Sequence, residues 1–164
     1  MFTTNASKMR KSTLGKGRTL VLIDFENLCA GTLDSIDLAK AVRQELVACA
    51  GLSGNEQVVI ATSHAGLLTF GIAWPGARLL VRSGENGADL ELLSVLDEER
   101  VGDRFDRVVL ASGDGIFAEA VARLGSATAV TVIARPAQMS RQLRMAAHRH
   151  LYLEDIQTQI GEVA

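Results

Sequence analysis

Two short apolar runs, TLVLID at residues 19–24 and VVLASGD at residues 108–114, each end in an aspartate. Runs of this length, rich in Val, Ile and Leu and without polar alternation, are typical of strands buried on both faces of a parallel sheet. In open parallel α/β sheets, ligands bind beyond the carboxyl ends of the strands. The two runs therefore predict that Asp24 and Asp114 lie at the ligand-binding edge of a parallel sheet.

Strand-like and helix-like segments alternate from residue 19 onward. The apolar spacing predicts helices over residues 35–47, 64–74, 88–101, 116–124 and 140–148, and strands over residues 19–23, 57–62, 78–82, 106–111, 128–134 and 151–153. This alternation indicates right-handed βαβ crossovers, so we expect an α/β three-layer sandwich with a central, mainly parallel sheet. Without an internal linker or repeat, residues 18–164 are expected to form a single domain. Residues 1–17, which are polar and rich in Gly, Ser and Thr, are expected to form a flexible N-terminal tail.

The composition restricts the class of protein. With 48% hydrophobic residues, 22% charged residues and a net charge of −2, the chain has no global attraction to nucleic acid, so any such contact needs a local basic patch. Aromatic residues make up only 4%, which argues against a base-stacking platform. No segment approaches the ~20 apolar residues of a membrane span. Cys29 and Cys49 have neither zinc nor disulfide spacing, so we expect free thiols in a cytoplasmic protein that does not bind membranes.

Three aspartates in turn or helix-start positions are candidate metal ligands. Asp24 is followed at short range by Asn27, although the two could simply build the turn after the strand. Asp114, between two glycines, could equally cap the next helix, and Asp89 could interact favourably with the dipole at the N-terminus of the long helix. If the three converge, repulsion of roughly 4 kcal/mol between two carboxylates ~4 Å apart must be relieved by a proton or a cation. Mg²⁺ or Mn²⁺ suits such an all-oxygen site.

Four blocks of the sequence resemble the NYN domain, a family of the PIN-like nucleases. They are VLIDFENL at residues 21–28, GAD at 87–89, VLASGDGIF at 109–117 and SRQL at 140–143. The resemblance, which spans about residues 19–156, implies a PIN-like fold and metal-assisted hydrolysis of RNA phosphodiester bonds. It implies that Asp24, Asp89 and Asp114 bind Mg²⁺ or Mn²⁺ and act in catalysis with Asn27. It also implies that Ser112 positions the metal shell or the substrate phosphate.

The chain departs from the family pattern at Ile116, where the common block has a second aspartate. Since isoleucine cannot ligate a cation, four glutamates become candidates for the missing carboxylate: Glu26, Glu85, Glu91 and Glu119, the last of which could share a helix face with position 116. Two interpretations remain open, a metal-dependent ribonuclease and an NYN-fold RNA-binding or regulatory module with weak or no catalysis. A weaker third interpretation is an Mg²⁺-dependent enzyme acting on small phosphoesters.

A basic segment after the fifth predicted strand is the candidate substrate surface. Arg135 ends that strand, Ser140 is placed to cap the following helix, and Arg141 and Arg144 lie in the helix. Arginines and helix N-termini commonly position nucleic-acid phosphates, although Arg144 could equally belong to a solvated helix face. We expect RNA as the partner, and a homodimer or a protein partner stays open.

Overall fold

The structure, a computed structural model, describes residues 17–154. Its strands are β1 (Thr19–Asp24), β2 (Gln57–Thr62), β3 (Arg78–Val81), β4 (Arg107–Ala111), β5 (Ala129–Ala134) and β6 (Arg149–Tyr152). They form one sheet in the order β3-β2-β1-β4-β5-β6, and every neighbouring pair is parallel. Ile23, near the end of β1, is in register with Ile60 on one side and with Ala111 on the other. The predicted α/β fold with a central parallel sheet is confirmed.

Helices cover both faces of this sheet. They are α1 (Phe25–Leu28), α2 (Ile36–Ala50), α3 (Leu67–Ala73), α4 (Gly87–Glu98), α5 (Val101–Arg104), α6 (Ala118–Leu124) and α7 (Arg141–Ala146). Successive residues of a strand point to opposite faces, so Val21 and Ile23 pack with α1, α2 and α3, while Leu20 and Leu22 pack with α4, α5, α6 and α7. The sheet is therefore the middle of three layers, with an apolar core on each side.

The connections place a crevice between β1 and β4. From β1 the chain continues to β2 and β3 on one side of the sheet, and it then returns through α4 to add β4 on the other side of β1. Neighbouring strands whose connections diverge in this way form the crevice in which α/β sheets bind ligands. Asp24 ends β1 and Asp114 follows β4 at this edge.

Several predicted helix boundaries were wrong. The helix predicted over 88–101 ends at Glu98, because Arg100 has a left-handed backbone (φ +52°) and a separate helix, α5, follows. The last helix ends at Ala146 instead of His148, since the His148 amide already donates to the Val130 carbonyl as β6 joins the sheet. The predicted turn after Asp24 is the short helix α1, and the helix predicted from His64 begins as a 3-10 turn.

The predicted flexible tail lies, apart from Gly17, outside residues 17–154. Within that range, no helix has the length and apolar character needed to cross a membrane. Cys29 and Cys49 are both free thiols, as predicted.

Candidate metal centre

Asp24 is held by two hydrogen bonds at the junction of β1 and α1. Its Oδ1 accepts from the Asn27 amide at 3.2 Å, which caps the short helix, and its Oδ2 accepts from the Ser112 hydroxyl at 3.2 Å. The residue is only 5% exposed. Capping and site formation are therefore not alternatives for Asp24, because a carboxylate has acceptor sites for both.

The turn after β4 is bound directly to the turn after β1. The Gly113 amide donates to Asn27 Oδ1 at 3.3 Å, and the Asp114 amide donates to Ser112 Oγ at 3.3 Å. Asp114 in turn accepts from the Ile116 amide at 2.9 Å. Glycine is required at position 113, since a Cβ there would lie 2.3 Å from the Gln138 carbonyl oxygen. These contacts fix Asp114 beside the end of β1.

Asp89 reaches the same edge through a tight turn between β3 and α4. Asn86 has a left-handed backbone (φ +55°), and the next residue is Gly87, where a Cβ would lie 2.3 Å from the Arg82 carbonyl oxygen. This close approach starts α4 against the end of β3 and places Asp89 in the first helical turn. The carboxyl groups of Asp89 and Asp24 lie close enough there to interact electrostatically.

The three aspartates line one cleft of about 240 Å³, together with residues from the ends of β1, β2 and β3. Its full lining is Asp24, Glu26, Asn27, Ser63, Arg82, Gly84, Asn86, Gly87, Ala88, Asp89 and Asp114. The convergence expected of Asp24, Asp89, Asp114 and Asn27 thus occurs. Within residues 17–154, however, no three acidic, histidine or cysteine side chains come close enough to enclose an ion as they stand.

Burial and like charge oppose ionisation of this cluster. Burial, and then the nearby charge of Asp89, raise the pKa of Asp24 from 3.8 to about 7. Burial also raises the pKa of Asp89, and the charges of Asp114 and Glu26 add to that effect. Close carboxylates of this kind need a proton or a cation between them. Their oxygens are the ligands that Mg²⁺ and Mn²⁺ prefer, so the donor set fits a hard divalent cation.

Two of the predicted substrate-binding residues are buried and hydrogen-bonded within the protein. Ser112 is fully buried and donates to Asp24, so it can orient that carboxylate. Arg135 is 4% exposed, and its guanidinium donates to the Leu28 carbonyl, to Glu45 and to the Glu154 carbonyl. Their predicted role in substrate binding stays a prediction.

The other members of the predicted basic segment lie beside the cleft without lining it. Ser140 caps α7 by accepting from the Leu143 amide at 3.1 Å, and its own amide donates to the Gly113 carbonyl at 2.8 Å. This bond ties the start of α7 to the Asp114 turn. Arg141 and Arg144 are exposed on α7. Their predicted role in substrate binding stays a prediction.

Sequence reasoning missed Arg82 and Ser63 as members of the cleft and did not single out Glu26 from the other glutamates. Arg82 directly follows β3 and Ser63 directly follows β2, so both obey the rule that selected Asp24 and Asp114. A search for polar residues at the end of each predicted strand would have found them. Ile116, by contrast, packs half-buried against the core beneath α6 and does not line the cleft.

Comparisons with known proteins agree with this architecture. The sequence model of the NYN domain matches residues 18–154. The protein named Low amplitude and bright protein LabA, from Synechococcus elongatus, is 35% identical over 72 residues, which are 43% of this chain and 39% of that protein. The match thus spans about two fifths of the relative's length. A solved protein of unknown function from Vibrio parahaemolyticus is 21% identical with a TM-score of 0.62 over 88% of this chain and 98% of that one, which shows a shared fold.

Proposed function

This chain belongs to the NYN domain family, which has a PIN-like nuclease fold, and from that premise we propose that it is a divalent-metal-dependent ribonuclease. The observation that carries the proposal is the meeting of Asp24, Asp89 and Asp114 in one cleft. They come from three distant parts of the chain, and burial together with nearby carboxylates raises the pKa of both Asp24 and Asp89. Helix capping alone does not require these carboxylates to lie close together, and clustered acids with raised pKa values are typical of functional sites.

Asp24, Asp89 and Asp114 would hold Mg²⁺ or Mn²⁺. Such a cation, when bound, supplies Lewis-acid activation of a phosphodiester and of the water that attacks it. Ser112 and the Asn27 amide each fix one oxygen of Asp24, which limits the rotation of that carboxylate. Asn27 also holds the Asp114 turn through the Gly113 amide. In this proposal Asn27 and Ser112 are positioning residues that keep the acids in place.

Arg82 is the residue best placed to bind a substrate phosphate. It lines the cleft with a side chain that is 52% exposed, and its ion pair with Glu91 is long, at 3.8 Å. The guanidinium can therefore turn toward a phosphate, which it recognises with paired N–H donors. Arg141 and Arg144 on α7 would extend this contact along a longer RNA.

Cleavage of end-labelled single-stranded and hairpin RNA tests the proposal. Wild-type protein would be incubated with Mn²⁺ or with EDTA, beside Asp24→Asn and Asp114→Asn. Asp97→Asn is a matched control, since Asp97 lies outside the cleft in an exposed ion pair with Arg123. We expect Mn²⁺-dependent products from wild type and the control, and none from the two cleft variants. Full activity in a folded cleft variant would contradict the proposal.

A second candidate function is RNA binding without turnover. Two observations favour it: Ile116 stands where the family has an acid, and the acidic side chains of residues 17–154 do not enclose an ion as they stand. This alternative predicts RNA binding that is unaffected by EDTA and is not followed by cleavage with any divalent ion. The same RNA, in a gel-shift assay with and without EDTA, distinguishes the two functions.

A further inference from the structure

The four glutamates that could replace the missing acid at position 116 differ in their positions relative to the cleft. Glu119, three residues further along, is the obvious substitute on helical spacing. Its side chain is 86% exposed, and its carboxylate accepts from Arg123 at 2.6 Å on the outer face of α6. It does not line the cleft. Helical proximity to Ile116 therefore does not bring Glu119 to the metal centre.

Two more glutamates also lie outside the cleft. Glu91, in α4, forms the long ion pair with Arg82, and Glu85 is exposed in the turn before α4. Glu26, by contrast, lines the cleft with Asp24, Asp89 and Asp114. It lies in α1, so the short helix that the sequence did not predict is the element that turns it toward the other acids.

Glu26 is held with one oxygen bound and the other available. Its Oε1 accepts from the Thr62 hydroxyl at 2.9 Å and from the Ser63 amide at 2.6 Å, both at the end of β2. Among residues 17–154, no hydrogen bond is made to its Oε2. Carboxylates that ligate metals are commonly oriented by hydrogen bonds from neighbouring groups to one oxygen, which leaves the other oxygen for the ion. Glu26 has this arrangement.

We infer that Glu26 supplies the fourth carboxylate of the metal centre, in place of the aspartate that Ile116 replaces. The inference rests on the proposed function, since it concerns the same cation. Compared with the family pattern, one carboxylate would then lie on the β2 side of the cleft instead of in the turn after β4. Thr62 and Ser63 position this carboxylate.

With Glu26, four acidic side chains line the cleft despite the isoleucine at position 116.

Direct measurement of Mn²⁺ binding tests this inference without relying on cleavage. Titration of full-length protein with Mn²⁺, followed by the electron paramagnetic resonance signal of the free ion, gives an affinity for each variant. Glu26→Gln removes the charge but keeps an oxygen that can accept from Thr62 and Ser63. Glu119→Gln is the matched control, because it removes a carboxylate outside the cleft. We expect Glu26→Gln to weaken Mn²⁺ binding by about ten-fold or more and the control to match wild type.

The outcomes distinguish the inference from the proposed function. Equal Mn²⁺ affinity in wild type and folded Glu26→Gln would overturn the inference and leave the ribonuclease proposal standing. No Mn²⁺ binding by wild type would overturn both. Circular dichroism establishes folding, and if Glu26→Gln does not fold, Glu26→Asp is measured instead. That variant keeps the charge but shortens its reach by one methylene, so we expect weaker binding, and wild-type affinity would again overturn the inference.

Discussion

The hydroxyl of Ser112 lies 3.2 Å from Oδ2 of Asp24, although the two residues are 88 positions apart in the chain. The same hydroxyl accepts from the amide of Asp114 at 3.3 Å. One buried serine therefore connects the two aspartates that end β1 and follow β4. Its contacts make it a determinant of how the acidic cleft is arranged.

Ser112→Ala is expected to weaken Mn²⁺ binding by about ten-fold, because Asp24 loses the partner that orients it. The Asp114 amide also loses its acceptor, so the free energy of unfolding should fall by about 1–2 kcal/mol. Mn²⁺ titration and urea unfolding measure the two effects. Ser126→Ala, at an exposed serine whose hydroxyl donates to the Arg123 carbonyl, should change neither quantity. Wild-type affinity in Ser112→Ala would show that Asp24 does not depend on this bond.

Asp24→Asn is expected to stabilise the metal-free protein at neutral and higher pH, but not in acid. Burial, and then Asp89, raise the pKa of Asp24 from 3.8 to about 7 in the folded protein. Folding is thus favoured by a bound proton below the unfolded pKa, and this stability is lost as the pH rises through the folded value. The asparagine variant keeps a neutral side chain throughout, so it avoids a loss of at most about 4 kcal/mol.

Urea unfolding in EDTA, measured from about pH 4 to pH 8, checks this pH dependence. The difference in free energy of unfolding between Asp24→Asn and wild type should grow across the range. Asp97→Asn provides the matched control, since Asp97 lies in an exposed ion pair whose loss should cost no more than about 1 kcal/mol at any pH. A constant difference for Asp24→Asn would show that Asp24 ionises freely in the cleft.

Arg135→Met should destabilise the fold by about 3 kcal/mol, because it removes the buried guanidinium that donates to Glu45 and to the Leu28 carbonyl. The exposed Arg123, which pairs with Asp97 and Glu119, offers a matched comparison. Arg123→Met should cost no more than about 1 kcal/mol, as exposed ion pairs do. Chemical denaturation of both variants tests the structural role assigned to Arg135. A cost at position 135 as small as that at position 123 would refute it.

Arg82→Ala is expected to weaken RNA binding without weakening Mn²⁺ binding, since it removes a phosphate contact and no metal ligand. The slope of log affinity against log salt should fall in magnitude by about 1. Arg78→Ala is the control, because Arg78 lies at the other end of β3 and pairs with Glu99 at 2.7 Å. RNA titrations at several salt concentrations, in a cleavage-deficient Asp24→Asn background, give the slopes. Equal slopes for Arg82→Ala and its background would exclude a phosphate contact.

The strands and the acidic edge could be predicted because they rest on local patterns. Continuous apolar runs specify strands buried on both faces, and the aspartates at their ends lie at the sheet edge in any parallel arrangement. Helix ends were predicted less well, because tertiary contacts decide them. The pairing of His148 with Val130 ends α7, and the left-handed Arg100 divides α4 from α5.

The roles of individual polar residues could not be predicted in the same way. Arg135 and Arg82 both directly follow a strand in the sequence, yet one is buried against α1 and the other lines the cleft. Glu119 had the better helical spacing to replace the acid missing at Ile116, yet Glu26 lies among the aspartates. Which neighbour packs over an arginine or glutamate depends on chain segments far away in the sequence.

The sequence by itself determined the parallel α/β sheet and the aspartates at its edge, because both follow from local patterns. Continuous apolar runs specify buried strands, and an aspartate that follows such a run lies at the carboxyl end of that strand. Only the tertiary structure decided that Asp24 and Asp89 line the same cleft, that the buried Ser112 donates to Asp24, and that Glu26 is the glutamate in the cleft. These relationships depend on contacts between β1, β2, β4 and α4, which exist only once the sheet has brought distant segments within hydrogen-bonding distance.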